Sequence, residues 1–208
     1  MMTMMTNITP LLDYLDELFP SVGCELLYTK DYELVIAVML SAQTTDKSVN
    51  NVTRVLFNKY QSLDELENAP IEDIEETIKQ IGLYKNKAKN LKGIVHELIT
   101  RFNYKVPSDK EELMTLPGVG NKTAGVIRAE ISKIPDLPVD THVSRIAKRL
   151  GLAKKDDEPI EVERKLKRLI SEDRWIKSHH QFIHFGRYFC TARNPQCSNC
   201  KIKDLCRK

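Results

Sequence analysis

Apolar residues along this chain recur at intervals of three and four, and no run alternates strictly enough to specify a strand. Residues 9–19, TPLLDYLDELF, place leucines on one helical face with Pro10 near the start. Residues 32–43, YELVIAVMLSAQ, are apolar nearly all round, which predicts a helix buried on every side. Thr44, Thr45 and Asp46 then offer an N-cap for KSVNNVTRVLFNKY. Short helices are expected from about Leu63 and Ile71, with Gly82 breaking the second, followed by the long amphipathic KNKAKNLKGIVHELITRF, lysine-rich in its first half. Ser108 and Glu111 fit a capping box for a helix running into Leu116. The turn PGVG, residues 117–120, ends that helix and another begins near Asn121, so the two make a tight helical hairpin. VDTHVSRIAKRLGL, with Asp140 at its mouth, IEVERKLKRLI and RWIKSHHQFIHFGRYF supply the remaining helices, and the cysteine-bearing tail has no room for regular structure. The pattern is all-α, and its best boundary is KIPDLP, residues 133–138, where two prolines interrupt the helices.

At 208 residues the chain can form one large domain or two modest lobes. The longest apolar run, Leu34 to Leu40, is too short to span a bilayer, and the polar start lacks the basic flank and apolar core of a secretion signal. A cytoplasmic protein with no membrane partner is expected. Charge sharpens this picture once it is divided. Up to Asp140 there are 15 Lys and Arg against 21 Asp and Glu, but from Thr141 onward 17 against 8. The basic end is either a solvated cationic face or a surface for an anion such as a nucleic-acid backbone.

Four of the five cysteines, Cys190, Cys197, Cys200 and Cys206, crowd the end of the chain as C-x6-C-x2-C-x5-C. Without a secretory signal, thiolates on a metal centre fit better than two disulfides. Zinc and an iron–sulfur cluster both remain open, and the single C-x2-C pair tilts slightly toward the cluster. Cys24 lies outside the pattern and reads as a buried thiol.

Gly118 and Gly120 suggest a backbone with positive φ, or one that a ligand approaches closely. A helix opening just after them leaves N–H groups that attract an anion, although a plain turn between packed helices has the same sequence. Lys122 stands on the lip of that turn. A lysine amine can attack an electrophilic carbon if its neutral form is accessible, while a lone lysine at a helix start is ordinarily just exposed.

LPGVGNKTA, VDTHV, LSAQTTD, IGLYKNKA and the cysteine tail together resemble the endonuclease III family, helix-hairpin-helix DNA glycosylases with an iron–sulfur cluster loop. The matching blocks run in family order from about Leu40 to Cys206. The resemblance implies two helical lobes with the DNA site in the cleft between them. Residues 24–133 would form the central helical domain with the helix-hairpin-helix, and residues 1–23 with 134–208 the cluster domain, its loop at 190–206. It also implies a bifunctional DNA glycosylase and abasic-site lyase of base excision repair. Its partner would be double-stranded DNA carrying a damaged pyrimidine or an abasic site, and it would act as a monomer at the nucleoid.

Carried onto matching positions, the resemblance makes Lys122 the nucleophile and Asp140 the carboxylate that stabilises positive charge on the sugar. Gln43 and Leu83 would fill the gap left by a flipped nucleotide, and Gly118, Gly120 and Arg193 would meet the phosphate backbone. Cys190, Cys197, Cys200 and Cys206 would hold a [4Fe-4S] cluster that ties down residues 191–196. His142, His179, His180, His184 and Trp175 keep structural readings. Asn121, Asn194 and Gln196 make the phosphate grip less cationic than the family pattern, and Gly125 and Glu130 make the helix after Lys122 less apolar. Three rivals are an adenine-mismatch glycosylase, which generally lacks the lysine, a non-catalytic DNA-binding or redox protein on the same scaffold, and a zinc protein.

Overall fold

The structure, a computed structural model, describes residues 8–207. Among the described residues it is all-α, with no strand and no helix long and apolar enough to cross a membrane. The chain separates into two compact units, one made of Cys24–Ile134 and the other of the segment up to Gly23 together with the segment from Pro135 onward.

The N-terminal helix α1 (Thr9–Leu18) belongs to the second of these and is described with it below. The Cys24–Ile134 unit is built around α2 (Asp31–Leu40), in which every residue from Leu34 to Leu40 is buried. Its start is fixed by Glu33, whose carboxylate accepts from Thr29 N (2.8 Å), Thr29 Oγ1 (2.9 Å) and Lys30 N (3.2 Å). The helix stops at Leu40 rather than reaching residue 43. There Ser41 Oγ turns back to Val38 O (2.8 Å) and Thr44 N closes onto Ser41 O (3.0 Å), a local alternative to helical bonding that Ser and Thr side chains favour.

Around it pack α3 (Asp46–Lys59), capped by Thr45, and α4 (Leu63–Asn68), capped by Ser62. Next come α5 (Ile71–Ile78) and the long α6 (Tyr84–Thr100). Lys92 of α6 reaches the carbonyls of Leu66 and Ala69, each at 3.1 Å, and that of Glu67, so a side chain satisfies acceptors at the end of α4. The hairpin follows as α7 (Lys110–Thr115) and α8 (Asn121–Ile127), the latter continued by a π-helical turn over Arg128–Ser132. The expected Ser108 cap is displaced by one residue: Asp109 Oδ1 accepts from Glu111 N (2.9 Å) and Glu112 N (3.0 Å). A carboxylate is both the stronger acceptor and the better partner for the positive helix end.

The second unit contains α9 (Thr141–Arg149), α10 (Pro159–Leu169) and α11 (Trp175–His184), which runs into a π-turn at Phe185–Phe189. Leu11, Leu12 and Leu15 of α1 share a core with Val143, Ile146, Phe182 and Phe185. Trp175 packs at the edge of this core and donates to Ile170 O (2.9 Å), as its near-core reading requires. One polar clasp ties α1 to a segment far along the chain. Asp16 accepts from Arg174 Nη1 (3.0 Å), Arg174 Nη2 (3.1 Å) and Gln181 Nε2 (2.8 Å), and pairs with Lys177 at 2.7 Å. Arg174 first, then Lys177, hold the Asp16 carboxyl well below the usual carboxylate range.

A group with a depressed folded-state pKa stabilises fully above its unfolded value and loses that contribution as pH falls through the folded one. Asp16 is one-third exposed, so Asp16→Asn should cost about 1 kcal/mol at neutral pH, the upper end for a solvated ion-pair network. Thermal midpoints of the two proteins should stay separated down to about pH 4 and converge below 3.8, the ordinary aspartate value.

Candidate active site and metal centre

The hairpin turn is held by Val119 N donating to Leu116 O (3.1 Å), and α8 begins with Ala124 N on Gly120 O (2.9 Å). The two glycines turn out to have different reasons. Gly118 has φ +77, and a Cβ there would stand 2.6 Å from Asn90 Nδ2 and 3.1 Å from Met39 Cγ. Gly120 is extended, at φ −96 and ψ −179, with open space where a Cβ would go, so the backbone does not demand glycine at that position. A third glycine, unremarked in the sequence, lets the hairpin dock: a Cβ on Gly93 of α6 would lie 2.7 Å from Pro117 Cγ. Lys122, the second residue of α8, is exposed.

Gln43 and Leu83 lie on the same unit as Lys122 and share an unusual backbone. Gln43 has φ +55 and Leu83 φ +59, a left-handed region that costs roughly 1–3 kcal/mol for residues with a Cβ. Both side chains project into solvent, Leu83 at 61% exposure. A large apolar side chain in a strained conformation and out of the core is the opposite of what packing alone would select.

Asp140 belongs to the other unit and caps α9, accepting from Val143 N at 2.8 Å. The segment entering it is anchored by buried His179, whose Nδ1 lies 2.9 Å from Pro138 O. His142 is half-buried with its Nδ1 3.3 Å from Arg145 Nη2, and burial pushes its pKa down, partly offset by Asp140. These contacts fit structural histidines.

In the same unit, Cys190, Cys197, Cys200 and Cys206 line one cavity of about 350 Å³, together with Ile146, Leu150, Phe185, Phe189 and Ile202. Among the described residues no three His, Cys, Asp or Glu side chains converge as ligands to a single ion. Four thiols lining one largely apolar cavity are soft donors that can hold a metal centre, and an iron–sulfur core takes four cysteine thiolates. Burial, and after it the three neighbouring sulfurs, push the Cys200 thiol up. The π-turn delivers the first cysteine, with Cys190 N on Phe185 O, and the tail contains only single 3₁₀ turns at Cys197–Asn199 and Lys203–Leu205.

Arg149, which the sequence reading passed over, braces this loop. Its Nη1 donates to Thr191 O (2.8 Å) and lies 3.2 Å from Cys190 Sγ, and its Nη2 donates to Ala192 O (3.0 Å). The available signal was a second arginine one turn after Arg145, on a helix whose other face is apolar. Arg193, beyond that brace, is exposed. Cys24 is partly buried against the core of its own Cys24–Ile134 unit, and burial raises its thiol to about 11.

Residues 36–172 match the family profile described as HhH-GPD superfamily base excision DNA repair protein, and residues 190–206 match the iron-sulfur binding domain of endonuclease III. The chain belongs to the endonuclease III family of base excision DNA repair proteins. A curated endonuclease III from Bacillus subtilis (strain 168) is 44% identical over 197 residues, covering 95% of this chain and 90% of the relative. Two solved structures each superpose with a TM-score of 0.94 at 45% identity over all of this chain. One is a non-covalent endonuclease III–DNA complex, covered to 96%, and the other a trapped endonuclease III–DNA covalent intermediate, covered to 97%. Within this family, residues 190–206 are an iron–sulfur-binding domain.

Gly118→Ala should destabilise the protein by about 1–3 kcal/mol, because a Cβ meets both strain and a neighbouring side chain. Gly120→Ala, with extended φ and open space, should fall within about 0.5 kcal/mol of the parent. Urea unfolding of the two variants separates these cases.

Proposed function

We propose that this protein removes oxidised pyrimidines from double-stranded DNA and nicks the strand at the resulting abasic site, with Lys122 as the nucleophile. The observation that carries the assignment is the placement of Lys122 at the exposed start of α8, directly after the hairpin turn, in a chain 45% identical to a protein trapped covalently on DNA.

Chemistry at the sugar of a stacked nucleotide is sterically blocked, so the damaged nucleotide first leaves the duplex. The neutral Lys122 amine attacks C1′, the glycosidic bond breaks with its electron pair going to the departing base, and the base takes up a proton. Loss of the amine proton and opening of the sugar ring give a Schiff base between Nζ and C1′. Removal of a proton from C2′ then drives electrons toward C3′ and expels the 3′ phosphate. Asp140 in its anionic form stabilises the cation developing on the sugar.

Gln43 and Leu83 fill the gap left by the extruded nucleotide, an amide and an apolar wedge. Gly118, Gly120 and Arg193 meet phosphates. Cys190, Cys197, Cys200 and Cys206 would hold a [4Fe-4S] cluster, which would fix the loop that carries Arg193 together with the Arg149 brace. The site of action is the cell's DNA, in the nucleoid.

Borohydride trapping on a duplex with one abasic site tests the chemistry. The parent protein should give a covalent adduct that Lys122→Ala abolishes while keeping its fold and DNA affinity. An adduct that persists in the variant would assign the Schiff base to another amine and overturn the role of Lys122, and none from a folded, DNA-binding parent would point to a lysine-independent glycosylase. For the centre, iron and labile sulfide should each be found at about four per chain with visible absorption, whereas one zinc and no colour would reject the cluster.

A further inference from the structure

Lys87 is buried to 4% exposure, and no other lysine or arginine among the described residues is buried. It sits one turn into α6 with Ala88 and Leu91 of the core beside it. Its ammonium donates to Thr44 Oγ1 at 2.7 Å, and no carboxylate among the described residues pairs with it. Burial alone accounts for its lowered pKa. A buried cation with a single hydroxyl partner is a poor stability device, since an apolar side chain of the same length would fill the space without losing hydration. Its contacts supply another reason for its presence.

Thr44 Oγ1, having accepted from Lys87, donates to Ala42 O at 3.3 Å, while Thr44 N closes onto Ser41 O at 3.0 Å. The chain from Lys87 through Thr44 to Ala42 therefore encloses Gln43, the residue held at φ +55. The same Lys87 donates its backbone N–H to Leu83 O at 3.0 Å, the first helical bond after the residue held at φ +59. One residue thus bonds to both left-handed turns. Strained conformations persist only where surrounding contacts over-determine them.

We propose that Lys87 is a positioning residue that braces the Gln43 and Leu83 turns together so that both side chains are presented to the duplex as one preformed wedge. This rests on the reading of Gln43 and Leu83 as the residues that fill the gap. The brace is needed where a paired nucleotide must be extruded and its gap held open. It is dispensable where the sugar is already accessible, as in a single-stranded abasic site.

The test compares Lys87→Met, which keeps chain length but loses the ammonium, with Thr44→Val, which breaks the same bond from its other end. Excision of dihydrouracil from a duplex is measured beside borohydride trapping on a single-stranded abasic oligonucleotide. Both variants should lose about tenfold in kcat/KM on the duplex, the effect of one charge-assisted hydrogen bond, with single-strand trapping changed by less than about twofold. Should Lys87→Met fail to fold, Thr44→Val carries the comparison. Equal losses on both substrates would reduce Lys87 to a structural residue and overturn the brace. Unchanged duplex excision in both variants, alongside a loss in Gln43→Ala, would overturn the brace and leave the wedge standing. If Gln43→Ala and Leu83→Ala themselves leave the duplex-to-single-strand ratio unchanged, the wedge reading has failed and takes the brace with it.

Discussion

A helix with no solvent-facing side must be enclosed, and α2 imposes that requirement on the whole Cys24–Ile134 unit. Seven consecutive buried residues, Leu34 to Leu40, leave no direction for a polar face. Helices α3, α6 and α8 therefore close around it. Each full burial of a large apolar side chain is worth roughly 1.5–3 kcal/mol, so this helix provides the reserve against which local strain elsewhere is tolerated. Its consequences reach the proposed chemistry directly. Met39 is among the atoms that forbid a Cβ at Gly118, so the hairpin turn before Lys122 takes its shape against α2. The last turn of α2 opens into the Ser41–Thr45 segment that carries Gln43.

Much of this was readable from spacing. The all-round apolar stretch gave away a buried helix, and the hairpin followed from glycines between two helical periods, because both signals depend on local sequence. Errors came where the signal was one residue wide. Ser108 and Asp109 are both good caps, and only the geometry of the chain entering α7 selects the aspartate. Gly120 looked as constrained as Gly118, yet the constraint on Gly118 comes from Asn90 and Met39, which are distant in sequence. Nothing local marks Gln43 or Leu83 as left-handed, since neither is the glycine, asparagine or aspartate that usually announces such a turn. Their candidacy arose from resemblance, and the strained backbone is independent physical support for a special role.

The cysteine centre shows the same division. Four sulfurs at the spacing found here announce a soft-metal site, but spacing does not distinguish zinc from a cluster. The iron–sulfur reading comes instead from the match of residues 190–206 to the iron-sulfur binding domain of endonuclease III, and the four cysteines line one cavity of their unit. Likewise the contacts of Arg149 to Thr191 and Ala192 are invisible in sequence, being more than forty residues apart. A loop with only single turns of regular structure cannot hold itself, so a guanidinium supplies donors that the backbone lacks.

The basic end of the chain also changes meaning once its partners are known. Counting 17 cations against 8 anions from Thr141 onward suggests an evenly available surface. Arg174 and Lys177 instead clasp Asp16, Lys167 lies between Asp136 and Glu163, and Lys165 pairs with Asp157. Arg145 and Arg149 point their guanidinium groups at backbone carbonyls around Gly186, Cys190 and Thr191. Many of the cations thus build the unit that holds the cysteines rather than reaching outward. The long-range field still follows the net excess, because pairing cancels charge of both signs equally. Exposed Arg193, the proposed phosphate contact, sits on the cysteine loop, so its position follows that of the loop. Under the proposed function, the cysteine loop and its arginine brace would belong to the DNA surface in a physical sense: they would convert an excess of charge into charge at a defined place.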